Sequence, residues 1–363
     1  MRSSLQRVRP TQQLRSISHQ PLHRQLPLTQ IDAASRPSFL PLNTKVTSYH
    51  PLFTRYGTTP RVYSRRHFTT TSAVNTPATM TDTNVEAAKR AAGQQAVADH
   101  FDPNASYVGI GSGTTIVYVV EAIKERSTNP AVRFVPTGYQ SRQVIINAGL
   151  TPVAFDSLPD SVMLDVAFDG ADEVDLELNC IKGGGACLFQ EKLVAERAKK
   201  FVCVADYRKR QDRLLTNWPT IPIEIAPLSQ NKVAAALKTL GSTDPKLRIT
   251  QLEKSGPLKT DQDFYIIDAA FPALLTKKDV EQGKGKGDGS DGTWEVNNIA
   301  KAIKSLTGVL EVGIFSGLNG LEAQTLREQQ GEKSAVSGGQ VPVAVYFGMQ
   351  DGSVVVRTAD GEH

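Results

Sequence analysis

Between Tyr107 and Ala205 short apolar runs alternate with longer amphipathic stretches, and few folds accommodate that rhythm. The run Tyr107 to Ile110 passes through Gly111-Ser112-Gly113-Thr114-Thr115 into a helical pattern from Ile116 to Arg126. Val132 to Val135 then reads as a strand, Pro136 to Gln140 as a loop, Ser141 to Ala148 as a helix and Pro152 to Phe155 as a strand. The apolar run Val162 to Phe168 precedes a further helix, Ala186 to Lys200, and a strand, Phe201 to Ala205. Strands joined through helices demand crossover connections. The pattern therefore predicts an α/β fold, a Rossmann-like parallel sheet wrapped on both faces, with the amphipathic helix Val85 to Phe101 preceding it.

From about Pro222 the style changes. Ile221 to Ile225, the helix Asn231 to Leu240, Lys246 to Gln251, Phe264 to Asp268 and the helix Val296 to Ser305 predict a second, smaller α+β domain. Val309 to Phe315, Val341 to Phe347 and Ser353 to Arg357 read as strands returning to the first domain. The expected division is a catalytic domain over 80–215 and 309–363, with 216–308 as the smaller unit. Two polar segments, Gln282 to Thr293 and Glu322 to Gln340, read as mobile surface loops without chemistry.

Chemistry concentrates in the segment from Asp169 to Glu191, D-G-A-D-E-V-D-L-E-L-N-C-I-K-G-G-G-A-C-L-F-Q-E. Cys187, Val194, Ala195 and Ala198 recur there at helical spacing, and Glu191 falls on the same stripe. A carboxylate on the buried face of a helix loses solvation, which raises its pKa toward the range useful for proton transfer. Lys192, Glu196, Arg197, Lys199 and Lys200 fall on the polar face and read as ordinary surface charge. Asp169, Asp172, Glu173 and Asp175 read either as a hydrated acidic turn or as a divalent-metal cluster. Lys182 would compete with a cation for those carboxylates, and a lysine so placed can instead stabilise a developing oxyanion. The catalytic reading stands above the metal one.

Other classes fall away on composition. The chain has 363 residues and six histidines, of which only His100 and His363 lie outside the N-terminal segment. Neither adjoins a motif, so a serine–histidine hydrolase or a histidine-ligated zinc enzyme is disfavoured. Up to Met80 the sequence carries ten Arg and one Lys against Asp32 alone, so the net charge of +4 belongs to the leader and the remainder is acidic. An acidic globular part without a basic stripe argues against nucleic acid. Cys180, Cys187 and Cys203 have no metal-type spacing and suit buried thiols. No apolar run approaches the about 18 residues of a membrane span.

Gly109-Ile110-Gly111-Ser112-Gly113-Thr114-Thr115 lies between a predicted strand and helix, where backbone amides favour an anion. It is not a Walker loop, since no Gly-Lys-Ser/Thr follows. As a dinucleotide fingerprint it is poor, because Thr114 stands where the third glycine belongs. The hydroxyls of Ser112, Thr114 and Thr115 suit a phosphate monoester, although a purely structural turn has the same composition.

G-I-G-S-G-T-T, P-T-G-Y-Q-S-R-Q, D-G-A-D-E-V-D, K-G-G-G-A-C-L-F-Q-E-K and V-A-D-Y-R-K, in that order, resemble ribose-5-phosphate isomerase of type A. The resemblance runs from about Val85 to Arg357. It implies interconversion of ribose 5-phosphate and ribulose 5-phosphate through an enediolate, in the non-oxidative pentose phosphate pathway, with no metal or organic cofactor. Glu191 then matches the base, Asp169 and Asp172 the carboxylates that handle hydroxyl protons, and Lys182 the lysine that stabilises the enediolate. Ser112, Gly113, Thr114 and Thr115 match the substrate loop. Gly170, Ala171, Gly183, Gly184 and Gly185 supply backbone around the substrate. Lys89 and Lys209, which sequence logic alone would leave as surface charge, match lysines of the substrate and phosphate site. The resemblance further implies a homodimer or homotetramer in the cytoplasm.

Residues 1–79, rich in Arg, Ser, Thr and Pro, resemble a mitochondrial transit peptide. A disordered extension, or a leader bypassed by initiation at Met80, explains the same composition. Three rivals share the wider fold group: a non-catalytic sugar-phosphate sensor, an amino-sugar phosphate deaminase and a CoA transferase. The intact carboxylate and lysine set argues against the sensor, the lack of a histidine against the deaminase, and the lack of a CoA site against the transferase.

Overall fold

The computed structural model describes residues 80–250, 255–331 and 338–363. The predicted leader lies outside the described residues. In chain order the elements of the first half are α1 (Met80–His100), β1 (Tyr107–Ile110), α2 (Ile116–Arg126), β2 (Arg133–Pro136), α3 (Tyr139–Asn147) and β3 (Val166–Asp169). The short strands β4 (Glu173–Val174) and β5 (Cys180–Ile181), α4 (Leu188–Glu196) and β6 (Phe201–Asp206) follow. The second half contributes β7 (Ile221–Ile225), α5 (Gln230–Thr239), β8 (Lys246–Leu247), β9 (Ile249–Thr250), β10 (Gly256–Pro257), β11 (Tyr265–Ala269), α6 (Lys277–Glu281) and α7 (Val296–Lys304). β12 (Val309–Val312), β13 (Ile314–Phe315), α8 (Gly320–Gln329), β14 (Ala344–Gly348), β15 (Val354–Thr358) and β16 (Gly361–Glu362) complete it.

The predicted α/β architecture is present. A seven-stranded sheet runs in the order β16-β15-β14-β6-β3-β1-β2, parallel from β14 to β2 and antiparallel across β14, β15 and β16. Side chains alternate between its faces as the strand period requires. Val108, Ile110, Phe168, Val202 and Val204 pack under α1 and α2, whereas Ala167, Phe201, Cys203 and Phe347 pack under Val194, Ala195 and Ala198. The chain leaves β1 toward β2 on one side and takes up β3 on the other. Loops after β1 and β3 therefore diverge and leave a crevice at the carboxyl ends of those strands, where ligands bind in open α/β sheets.

A four-stranded antiparallel sheet, β12-β7-β11-β8, is covered by Val233 and Leu237 of α5 and by Ile299 and Ile303 of α7. Here the expectation for Val309 fails. Val309–Val312 pairs with β7 in the smaller sheet and Ile314–Phe315 pairs with β5, so neither returns to the large sheet. Other departures are local. Pro152 makes only a single bridge to Phe134, after which Phe155–Ser157 turns in a 3-10 helix instead of a strand. Lys246 to Gln251 is broken into β8 and β9. The segment 282–293 is a hydrogen-bonded turn rather than a loose loop, with Gly289 N donating to Thr293 O at 2.9 Å and Glu295 N to Gly287 O at 2.9 Å. The polar stretch from Glu322 begins inside α8, capped by Asn319, whose Oδ1 accepts from Leu321 and Glu322 N at 3.0 Å. Residues 332–337 of that stretch lie outside the described residues.

Glu173, in β4 of the small three-stranded sheet β13-β5-β4, anchors the loop that leads from β6 to β7. Its fully buried carboxylate accepts backbone N–H groups from Leu215 at 2.5 Å, Thr216 at 3.2 Å, Asn217 at 2.6 Å and Trp218 at 3.0 Å. Asp175, also buried, accepts from Glu177 N, Asn179 N and Asn179 Nδ2, each at 2.9 Å. Glu173 and Asp175 of the D-E-V-D run are thus structural, turned into backbone amides instead of toward a ligand. Replacing Glu173 by Ala would take the acceptor from four backbone N–H groups of a partly buried loop, and Glu173→Ala is expected to cost about 1–3 kcal/mol. Urea unfolding of the variant checks this, and parental stability would refute the anchoring role.

Candidate active site

The carboxyl ends of β1, β3 and β6 border a cavity of about 300 Å³. Of the residues expected from sequence, Lys89, Ser112, Gly113, Thr114, Thr115, Gly170, Ala171, Asp172, Lys182, Gly183, Gly185, Glu191 and Lys209 line it. Asp169 and Gly184 do not line it but contact Lys182 and Asp172, which do. Gln140, Asp206 and Arg208 also line it and were not selected from sequence, although each lies in a quoted motif. No regularity of spacing distinguishes them there from surface residues.

At the centre is a buried ammonium. Lys182 Nζ lies 3.0 Å from Asp169 Oδ2 and 3.4 Å from Glu191 Oε2, and it donates to Gly170 O at 2.5 Å. Asp169 Oδ1 accepts from Gly170 N at 2.7 Å and Ser112 N at 3.2 Å. Burial pushes both carboxyls above their ordinary range against the pull of Lys182, and Glu191 is raised to about 8. For Lys182 burial works toward the neutral form, but Asp169 and Glu191 outweigh it and hold the pKa above the usual lysine value. Asp169 is the nearer partner and receives two amides, contacts that favour its charged form against burial.

Local structure explains this placement. Cys187 caps α4 and puts Glu191 in its first turn, beside the positive end of the helix dipole. The three glycines before it serve different ends. Gly183 has φ 104°, Gly185 borders the cavity, and Gly184 N donates to Asp172 Oδ2 at 2.8 Å, where a Cβ would press on that carboxylate at 2.9 Å. Glu191 is buried as its stripe predicted, but the polar face is not wholly solvated. α4 ends at Glu196, and Lys192 is buried, bonded to Glu311 Oε1 at 3.0 Å, Val312 O at 2.6 Å and Ile314 O at 2.8 Å. Arg197 is buried too, its Nε donating to Val162 O at 2.8 Å.

The loop after β1 is packed more tightly than an anion cradle needs. Ser112 N is taken by Asp169, and Gly113 N by Gln140 Oε1 at 2.8 Å. Lys89 Nζ donates to Thr114 Oγ1 at 3.2 Å and to Glu86 Oε1 at 2.8 Å. Lys209 Nζ sits 4.7 Å from the centre of the Trp218 ring. One region of the cavity thus carries Glu191 and Asp172 and another gathers Lys89, Arg208 and Lys209.

A family model described as ribose 5-phosphate isomerase A (phosphoriboisomerase A) matches residues 133–322. The ribose-5-phosphate isomerase of Mycosarcoma maydis is 45% identical over 283 residues, covering 77% of this chain and 83% of that protein. That of Schizosaccharomyces pombe is 42% identical over 279 residues, covering 77% and 85%. Among solved structures, D-ribose-5-phosphate isomerase in complex with phospho-erythronic acid superposes with a TM-score of 0.59 at 27% identity, covering 76% of this chain and 99% of that one. The enzyme of Methanocaldococcus jannaschii gives 0.57 at 26% identity, covering 75% and 99%.

Two outcomes test this geometry. A Cβ at Gly111 would lie 1.9 Å from Asp169 Oδ1, so Gly111→Ala is expected to displace Asp169, lower stability by about 1–3 kcal/mol and remove most activity. Parental melting and turnover would contradict the packing. Glu191 binds its proton more tightly folded than unfolded, so its contribution to stability is full below the ordinary value of 4.5 and is lost as pH rises through about 8. Glu191→Gln, which mimics the protonated form, should therefore melt higher than the parent at pH 9 with the difference vanishing near pH 4. A constant difference across that range would refute the raised pKa.

Proposed function

Because the chain belongs to the ribose 5-phosphate isomerase A family and is an aldose–ketose isomerase interconverting ribose 5-phosphate and ribulose 5-phosphate, we propose that Glu191 is its base. The observation that carries this is a buried carboxyl raised to about 8 and set 3.4 Å from a buried ammonium at the cavity wall. As carboxylate, Glu191 takes the proton from C2 of the aldose. The electron pair moves into the C1–C2 enediolate, and Glu191 returns the proton to C1. Lys182 stabilises the oxygen on which charge develops, the part a metal would otherwise play.

The geometry divides the two aspartates. Asp172 borders the cavity and is the group to pass a hydroxyl proton between O1 and O2 and to assist ring opening. Asp169 is engaged by Lys182 and two amides, so it acts as a positioning residue. The fold relative solved with phospho-erythronic acid, a phosphorylated sugar acid, supports a phosphate at the cationic region. The sensor reading is not favoured, since a binding protein gains nothing from a base with a raised pKa. In this reading the chain acts in the cytoplasm as a homodimer or homotetramer. Among the described residues no helix is long and apolar enough to cross a membrane.

Turnover of ribose 5-phosphate should persist in chelator and fall by about 10²–10⁴-fold in Glu191→Gln, with substrate binding retained. The base works deprotonated, so kcat/KM of the free enzyme should rise with pH along a limb whose apparent pKa lies near 8. A limb near 4.5, or an active Glu191→Gln, would sink the assignment.

A further inference from the structure

Arg208 stands beside Lys209 in the short turn Tyr207–Lys209 and borders the same cavity as Lys89, Thr114 and Thr115. Its guanidinium is held in a fork by Asp206, with Nε to Oδ1 at 2.7 Å and Nη2 to Oδ2 at 2.9 Å. Asp206 ends β6 and is almost fully buried, and its Oδ1 also accepts Arg208 N at 3.1 Å. A buried carboxylate that grips the backbone and the guanidinium of one residue fixes that residue's direction. The Arg208 side chain itself is about half exposed. With Lys89, Lys182 and Lys209 it makes four cations on the cavity wall, against Asp172, Glu191 and Asp206, and Lys182 is engaged by Asp169 and Glu191. The loop amides of Ser112 and Gly113 are taken by Asp169 and Gln140, so cationic side chains bear more of the work of holding a dianion.

We propose that Arg208 is a third cationic contact for the substrate's phosphate, a binding residue, and that Asp206 is the positioning residue that aims it. This rests on the isomerase reading of the same cavity. Arginine suits the role because its donors lie in one rigid plane, so a carboxylate on one edge sets the direction of the others, whereas a lysine ammonium rotates freely.

The test compares the parent with Arg208→Gln, Arg208→Lys and Asp206→Asn, in turnover of ribose 5-phosphate and in calorimetric binding of inorganic phosphate. Losing one charge-assisted contact should raise KM for ribose 5-phosphate about tenfold or more in Arg208→Gln with kcat nearly unchanged, and weaken phosphate binding in parallel. Arg208→Lys should fall between, and Asp206→Asn should move both constants in the same direction. A structural role alone would lower the melting temperature and leave KM and phosphate affinity in place. Arg208→Gln and Arg208→Lys matching the parent in both constants would overturn the proposal, and an unchanged Asp206→Asn would overturn the positioning role. Failure of the parent to isomerise would instead count against the isomerase reading, while phosphate calorimetry still decides on Arg208.

Discussion

The ammonium of Lys182 is the interaction on which the site depends. Moving such a charge from water into a protein interior costs several kcal/mol even after relaxation, so it persists only where opposite charge and hydrogen bonds surround it. Asp169, Glu191 and Gly170 O supply these, and the Phe315 ring centre lies 5.5 Å away. The chain places the lysine at the end of β5, where Lys182 N donates to Gly313 O at 2.9 Å, so both the hairpin after β3 and the strand before α8 fix it. Removing any one partner strands the others. The proposed acid–base group, Glu191, is therefore tuned by the same contacts that make the hairpin fold.

The smaller sheet buttresses this arrangement. Glu224 of β7 is buried, and its Oε2 accepts Phe189 N at 3.2 Å in the first turn of α4, two residues before Glu191. Lys192 reaches back the other way to Glu311 and to the carbonyls that follow β12. α4 is thereby clamped at its N-terminal end by charges from a different sheet. The orientation of Glu191 is a property of both sheets.

Much of this was legible in sequence, and the misreadings have physical causes. Glu191 could be found because helical period places it among Val194, Ala195 and Ala198. Lys192 could not, since a lysine beside a buried stripe looks the same whether it meets water or Glu311. The D-G-A-D-E-V-D run shows that acids gather there but not which way each points. Asp172 faces the cavity, whereas Glu173 and Asp175 turn into backbone amides because the chain reverses between β3 and β4. Val309 was placed in the wrong sheet for a related reason, as a run of apolar residues carries no information about its partner. Arg208 and Gln140 escaped notice because their importance comes from the crossing of separate loops at one cavity.

One consequence lies in the aromatic floor beneath Lys209. Trp218 is one of only two tryptophans in the chain, its amide is held by Glu173, and its ring lies under an ammonium that faces the ligand cavity. An indole beside a charge shifts its emission when that charge is neutralised by an anion. The fold thus carries an intrinsic optical probe of occupancy, fixed to the scaffold by the same carboxylate that anchors the loop between β6 and β7.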